Sequence, residues 1–162
     1  MVLYTKPRAE KQALEFLGHQ NYQVYLPCTT VLKQWSDRKK KVSEPIFKSY
    51  LFINCTDIEI FIAAQCHHVI GIVKFEGKPA IVREEEMEAI RRIAAGVEEV
   101  IVINNREHFT AGQKVKIISG HLKDLQGILT EFRGSKKLAI AIDTLGCNLL
   151  VEIQAHHVES VL

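Results

Sequence analysis

The chain has 162 residues and a formal net charge of +2, with 47% hydrophobic and 25% charged residues. That length allows one domain or two small ones, each with a modest core. No apolar run approaches the ~18 residues that would span a membrane. The four cysteines, Cys28, Cys55, Cys66 and Cys147, form no Cys-x-x-Cys pair, so neither a zinc site nor a disulfide framework is expected. With no signal peptide expected either, free thiols in a reducing, cytoplasmic compartment are the plain reading. The charge is uneven: residues 1–50 hold nine Lys/Arg against four Asp/Glu, and the other 112 hold twelve against fifteen. The basic character sits at the front, where an electrostatic footprint for nucleic acid is expected.

Residues 1–4 are apolar and suit a strand. Thr5-Lys-Pro-Arg8 interrupts it, and Ala9, Ala13, Phe16 and Leu17 then recur at helical spacing, with Gly18 placed to end the helix. Lys6, Arg8 and Lys11 fall at its front, where a helix N-terminus favours anions; ordinary surface charge is the alternative. Residues 22–31 alternate loosely and read as a second strand. A basic loop follows, Arg38-Lys39-Lys40-Lys41, and then an aromatic strand at 45–53. A hairpin joining the two strands puts residues 33–41 at its tip, and a solvated turn is the commoner use of such a tip. Alternation sets Tyr50 and Phe52 on one face of the aromatic strand and Leu51 and Ile53 on the other. One face is therefore core, and the other needs the shelter of a partner.

Residues 57–66 place Ile58, Phe61, Ile62 and Gln65 at helical spacing. Short apolar runs at 69–75 and 80–82 are separated by Glu76-Gly77-Lys78-Pro79, a turn composition. Residues 83–95 form the clearest helix: Met87, Ile90, Ile93 and Ala94 mark one face, Glu84 to Glu86 crowd the first turn, and Arg91 and Arg92 lie towards its end. Strand, helix, strand, strand, helix, strand, helix indicates an α+β sandwich on a largely antiparallel sheet. A linker fits residues 104–108, with 100–103 open to packing as a short strand. From Phe109 on, helical periodicity vanishes. Apolar runs at 115–118, 128–132, 138–142, 149–153 and 157–158, separated by Gly120, Gly127, Gly134 and Gly146, predict five short strands and a small closed all-β barrel. The expected ranges are an N-terminal domain at 1–98, a linker at 99–108 and a C-terminal domain at 109–162.

Particular stretches carry a resemblance. Val42-Ser-Glu-Pro-Ile-Phe-Lys-Ser-Tyr-Leu-Phe-Ile53 resembles the central signature of the NusG N-terminal domain, closest to specialised paralogs of the RfaH and UpxY kind. Tyr4-Thr-Lys-Pro-Arg-Ala-Glu-Lys11 and Gly71-Ile-Val-Lys-Phe75 extend the likeness over roughly residues 1–95. Gly112-Gln-Lys-Val-Lys-Ile-Ile-Ser-Gly-His-Leu-Lys-Asp-Leu-Gln-Gly127 resembles the KOW motif of the NusG C-terminal domain, its glycines falling where turns need positive φ. The chain departs from the family pattern at Lys48, where proline is usual.

The resemblance implies a NusG-type α/β sandwich followed by a KOW barrel. It implies that Phe47, Tyr50 and Phe52, with Tyr4, form a hydrophobic patch that docks on the clamp helices of bacterial RNA polymerase. It also implies that the 57–66 helix and its following loop lie near upstream DNA and the non-template strand. Lys6, Arg8, Lys11, His67 and His68, with Arg38, Lys39, Lys40 and Lys41, are then candidates for nucleic-acid contact. The KOW barrel would recruit the ribosome or a termination factor. The implied function is antitermination by a monomeric factor acting at particular operons, notably capsular polysaccharide loci. A general NusG role and a KOW-bearing RNA- or ribosome-binding module are the alternatives. Some members of the family refold the C-terminal domain as a helical hairpin; the β-branched strands and turn glycines here predict a resident barrel.

Cys66-His67-His68 lacks a third metal ligand at a sensible spacing, and His156-His157 reads as structural. There is no nucleophile motif, phosphate-binding glycine loop or paired carboxylates. No enzyme activity, cofactor, metal or membrane association is expected.

Overall fold

The computed structural model describes residues 1–34, 39–97, 99–104, 112–153 and 157–161. In chain order its elements begin β1 (Val2–Thr5), α1 (Glu10–His19), β2 (Gln23–Tyr25), β3 (Cys28–Gln34), β4 (Lys39–Pro45), β5 (Tyr50–Asn54) and α2 (Glu59–Ala63). They continue with β6 (Val69–Ile72), β7 (Lys74–Phe75), β8 (Lys78–Pro79), α3 (Glu84–Gly96), β9 (Val100–Ile103) and β10 (Gln113–Ile117). The last are β11 (Gln126–Phe132), β12 (Ser135–Ile142), a 3-10 turn at Asp143–Leu145, β13 (Cys147–Glu152) and β14 (Val158–Ser160). Two compact units result, Met1–Pro27 with Phe47–Arg83, and Cys28–Ile46 with Glu84–Leu162. The 28–46 segment and α3 group with the C-terminal sheet.

The first unit is built on a four-stranded sheet in the order β2-β5-β1-β6, with β1 antiparallel to both neighbours. Val2, Leu3, Leu17, Leu51 and Ile60 are fully buried, each worth about 1.5–3 kcal/mol against exposure. Helix α1 buries Ala13 and Leu17, the stripe its spacing predicts, but Phe16 is 43% exposed. Gly18 lies inside the helix rather than ending it. The stop comes at Asn21, in the left-handed region at φ 64, where the amides of Asn21 and Tyr22 donate to the carbonyls of Gly18 and Leu17. Asparagine tolerates that conformation better than most residues.

Helix α2 corrects the sequence reading. Ile60 and Ala63 face inward, while Ile58, Phe61 and Ile62 are 76%, 58% and 55% exposed. Apolar side chains ring this short helix, so period alone does not say which stripe meets the core. The strand expected at 22–31 is in fact two. Pro27 has no amide to donate to a ladder, and β2 pairs with β5 whereas β3 pairs with β4.

In the second unit, β3 and β4 form a hairpin whose last rungs set Lys33 opposite Lys40 and Gln34 opposite Lys39. Helix α3 buries Ala89, Ile90 and Ile93. The C-terminal sheet has six strands, β14-β10-β11-β12-β13-β9, not five. The extra one is β9, where Ile101 faces Leu150 and Ile103 faces Asn148 across the ladder. The front of the expected linker is thus an edge strand, and residues 105–108 lie outside the described residues. From β9 onward the described chain is β-structure with one 3-10 turn, as the resident all-β domain requires.

Its glycines do two different jobs. Gly120 sits at φ +83, but Gly127 lies within β11, where a Cβ would come 2.5 Å from the Ala139 carbonyl oxygen. Close strand packing, not a turn, demands glycine there.

Within this unit α3 is tied down by polar contacts. The Glu86 carboxylate, on a residue only 5% exposed, accepts from the Thr144 amide (3.2 Å) and hydroxyl (2.6 Å). Arg92 Nη1 donates to the Lys123 carbonyl at 2.7 Å, and Thr29 Oγ1 donates to the Val97 carbonyl at 2.7 Å.

Candidate functional site

The β1–β5 ladder pairs Tyr4 with Tyr50 and Val2 with Phe52. Directly opposed residues project from the same face, so all four belong to one side of the sheet. The tyrosine rings meet edge-to-face, 5.9 Å apart at 74°, a favoured aromatic geometry. Tyr4 is 41% exposed and Tyr50 half-buried. Phe47 and Phe52 differ: each is only 3% exposed, and their rings pack edge-to-face at 5.6 Å. Of the four aromatics expected at a docking surface, two are core in this structure. The accessible pair, Tyr4 and Tyr50, stands on a face whose buried floor includes Val2 and Phe52.

Phe47 is not on the aromatic strand at all. The strand breaks after Pro45, and Ile46 to Ser49 turn before β5 begins. Ser49 adopts φ 62, its amide donates to Glu10 Oε1 at 2.8 Å, and its carbonyl accepts from the Thr5 amide at 2.8 Å. The turn forms with an exposed Lys48 where the family pattern favours proline. Glu10, 7% exposed, therefore positions the segment between Phe47 and Tyr50. Sequence reasoning missed it, because one carboxylate in a helix's first turn looks like any other.

Lys6, Arg8 and Lys11 are exposed around the start of α1, with Arg8 at φ 64. The Lys6 amide donates to the His68 carbonyl at 2.9 Å, which brings this loop beside the two histidines. His67 and His68 meet edge-to-face at 5.5 Å, and Phe16 lies 6.4 Å from His68. Phe16 is a further residue that sequence reasoning assigned elsewhere, to the helix core stripe. Rings and cations in one place suit base stacking and phosphate contact.

Lys39, Lys40 and Lys41 are exposed but sit on the paired strand β4, not in a loop. They belong to the second unit, whereas the residues above belong to the first, and Arg38 lies outside the described residues. Lys33 pairs with Glu44 across the hairpin and also faces Lys40.

Burial pushes the Cys55 thiol up and lowers the Met1 amine, which donates to the Ile53 carbonyl at 2.7 Å. The Thr56 amide and hydroxyl hold the Glu59 carboxyl below its ordinary range, and Lys116, 2.7 Å away, does the same for Asp124. Among the described residues there is no cluster of three or more potential metal ligands, and no helix is long and apolar enough to cross a membrane. His156 lies outside the described residues, and the His157 carbonyl accepts from the Ile118 amide at 2.9 Å.

The family model described as transcription termination factor NusG matches residues 1–91. The chain belongs to the NusG family. Among solved structures it is similar to NusG of Thermotoga maritima, in a study of domain interaction in that protein, at 23% identity and a TM-score of 0.58. The alignment covers 99% of this chain and 96% of that one. At that identity the likeness is one of fold, and it carries past the family match through the C-terminal sheet. Tyr4, Tyr50, the Phe16–His68–His67 rings and the β4 lysines all fall inside the NusG match. NusG proteins are transcription factors that bind RNA polymerase.

Proposed function

We propose that this NusG-family chain is a specialised elongation factor that binds elongating bacterial RNA polymerase and suppresses pausing and termination at particular operons. The observation that carries this reading is the Tyr4–Tyr50 pair, Tyr4 exposed and Tyr50 half-buried, with rings 5.9 Å apart on a sheet face where Phe52 is buried. Tyrosine gives a large, amphipathic contact with few torsions to freeze, and it is enriched where interfaces concentrate their binding energy. The pair docks on the polymerase clamp helices, with Phe47 and Phe52 acting as rigid support rather than as direct contacts. Lys6, Arg8 and Lys11 with His67 and His68, and separately Lys39, Lys40 and Lys41, hold upstream or non-template DNA by charge and stacking. Bridging of this kind keeps the clamp closed.

The reading includes a division into an N-terminal domain at 1–98 and a KOW domain at 109–162. The latter recruits the ribosome or a termination factor on a tether that raises effective concentration. The factor works in the cytoplasm as a monomer, without cofactor or metal, and catalyses no reaction. Operons of the capsular polysaccharide type are the targets that the RfaH/UpxY-like signature favours.

The test is pull-down of the full chain on purified bacterial RNA polymerase, wild type beside Tyr4→Ala/Tyr50→Ala. Binding by wild type alone supports the reading. No binding by wild type would move the function to a ribosome- or RNA-binding module. The general NusG role is a second reading, favoured by the unspecialised description of the matching family. Transcription assays separate the two: equal effects on unrelated templates identify the general factor.

A further inference from the structure

A cleft of about 420 Å³ opens between the C-terminal end of α3 and the C-terminal sheet, wholly inside the second unit. We propose that it binds an alkylguanidinium or alkylammonium cation the size of an arginine or lysine side chain, an activity separate from polymerase docking. The residues that line it include Glu99, Glu152, Ser119 and His121, whose side chains carry hydrogen-bond acceptors, and His157. Among the described residues, no lysine or arginine lines it.

The helix end adds to this field. Helix α3 is 13 residues long, and its last turn contains no basic residue, although a cation is the usual complement to the negative end of the helix dipole. Gly96 lies at that end and lines the cleft. A Cβ there would lie 2.1 Å from His121 Cδ2, so the imidazole packs against the helix terminus only because position 96 has no side chain.

One of the two carboxylates already has a partner. Lys137, whose side chain is 8% exposed, reaches Glu152 at 3.1 Å, which offsets that charge from within the sheet. Glu99 is the exposed carboxylate of the cleft and becomes the principal anchor, with the helix end behind it. Leu122 and Ile153 supply apolar wall for an alkyl chain. A carboxylate holds a guanidinium by two parallel bonds, and an ammonium as a point charge.

The experiment is an NMR titration of the isotope-labelled full chain with agmatine, and separately with putrescine, at constant ionic strength. Saturable shifts at Glu99, Ser119, His121 and His157 are expected with at least one of them, and the tighter of the two identifies the preferred head group. Glu99→Gln changes an exposed residue and should fold normally, yet weaken that binding at least tenfold. Three results would overturn the proposal: no saturation with either amine, equal affinity in Glu99→Gln, or the same shifts with sodium chloride alone.

Discussion

The sharpest prediction separates support from contact within the aromatic set. Phe47→Ala removes a side chain that is 3% exposed and packed on Phe52 at 5.6 Å. Truncating a buried phenylalanine costs about 3–5 kcal/mol, a large share of the roughly 5–15 kcal/mol that keeps a domain folded. Tyr4→Ala/Tyr50→Ala instead removes an accessible pair, whose edge-to-face contact is worth about 0.5–1.5 kcal/mol. With a urea m-value of about 2 kcal/mol/M, the first change should lower the unfolding midpoint by about 2 M and the second by well under 1 M. Circular dichroism against urea reads the stability, and pull-down on RNA polymerase reads the binding. The expected pattern is a destabilised Phe47→Ala chain, a Phe47→Leu chain that recovers stability and still binds, and a stable double-tyrosine variant that has lost binding. A double-tyrosine variant that binds like wild type would refute the assignment of contact. A Phe47→Ala chain that unfolds like wild type would refute its place in the core.

Further expectations follow from the charges. Changing Lys39, Lys40 and Lys41, all exposed, to glutamine should weaken single-stranded DNA binding uniformly across sequences. It should also reduce the slope of log K against log salt by about 2, at ~0.7 per phosphate contact, measured by fluorescence anisotropy. Thr56→Ala removes the hydrogen bonds of the hydroxyl that help hold the Glu59 carboxyl low, so that pKa should rise in a carboxyl NMR titration. The sign follows from linkage: a carboxyl depressed on folding stabilises above its unfolded pKa and loses that contribution as pH falls through the folded value. The variant should therefore lose stability less steeply on the acid side. Burial raises the Cys55 thiol, so iodoacetamide at pH 8 should alkylate it more slowly in the native chain than in urea.

Much of the fold was legible because it rests on local pattern. Ala13 and Leu17 are buried on α1 as their spacing requires, and β-branched runs between glycines mark the C-terminal strands. What failed depends on partners distant in sequence. The run 22–31 reads as one strand until Pro27 is seen to separate ladders that belong to different sheets. The apolar ring of α2 has no preferred stripe until the fold buries Ile60 and leaves Phe61 outside. The candidate site was half legible. Tyr4, Tyr50 and the two histidines could be named from the motif. That Phe47 and Phe52 are buried against each other, that Phe16 joins His68, and that Glu10 fixes the intervening turn are facts of packing.

Glu86 illustrates the limit most clearly. In the sequence it is the third of three glutamates in a helix's first turn, indistinguishable from solvent-facing charge that favours the dipole. In the structure it is buried and accepts two hydrogen bonds from Thr144, 58 residues away. A hydrogen bond to a charged group contributes about 1.5–3 kcal/mol, so Thr144→Val, which deletes the 2.6 Å bond but keeps the shape, should cost that much in urea unfolding. Glu86→Gln keeps an acceptor without the charge and should cost less. If the two side chains act as one unit, the double variant is less destabilised than the sum of the singles, with a coupling of about 0.5–3 kcal/mol. Glu84→Gln is the control, since its carboxylate is exposed and bound to Arg91 on the same helix; exposed pairs contribute about 0.2–1 kcal/mol. Strict additivity of Glu86 and Thr144 would mean that the two side chains do not act as one unit, leaving the apolar face and the Arg92 bond to the Lys123 carbonyl to hold α3.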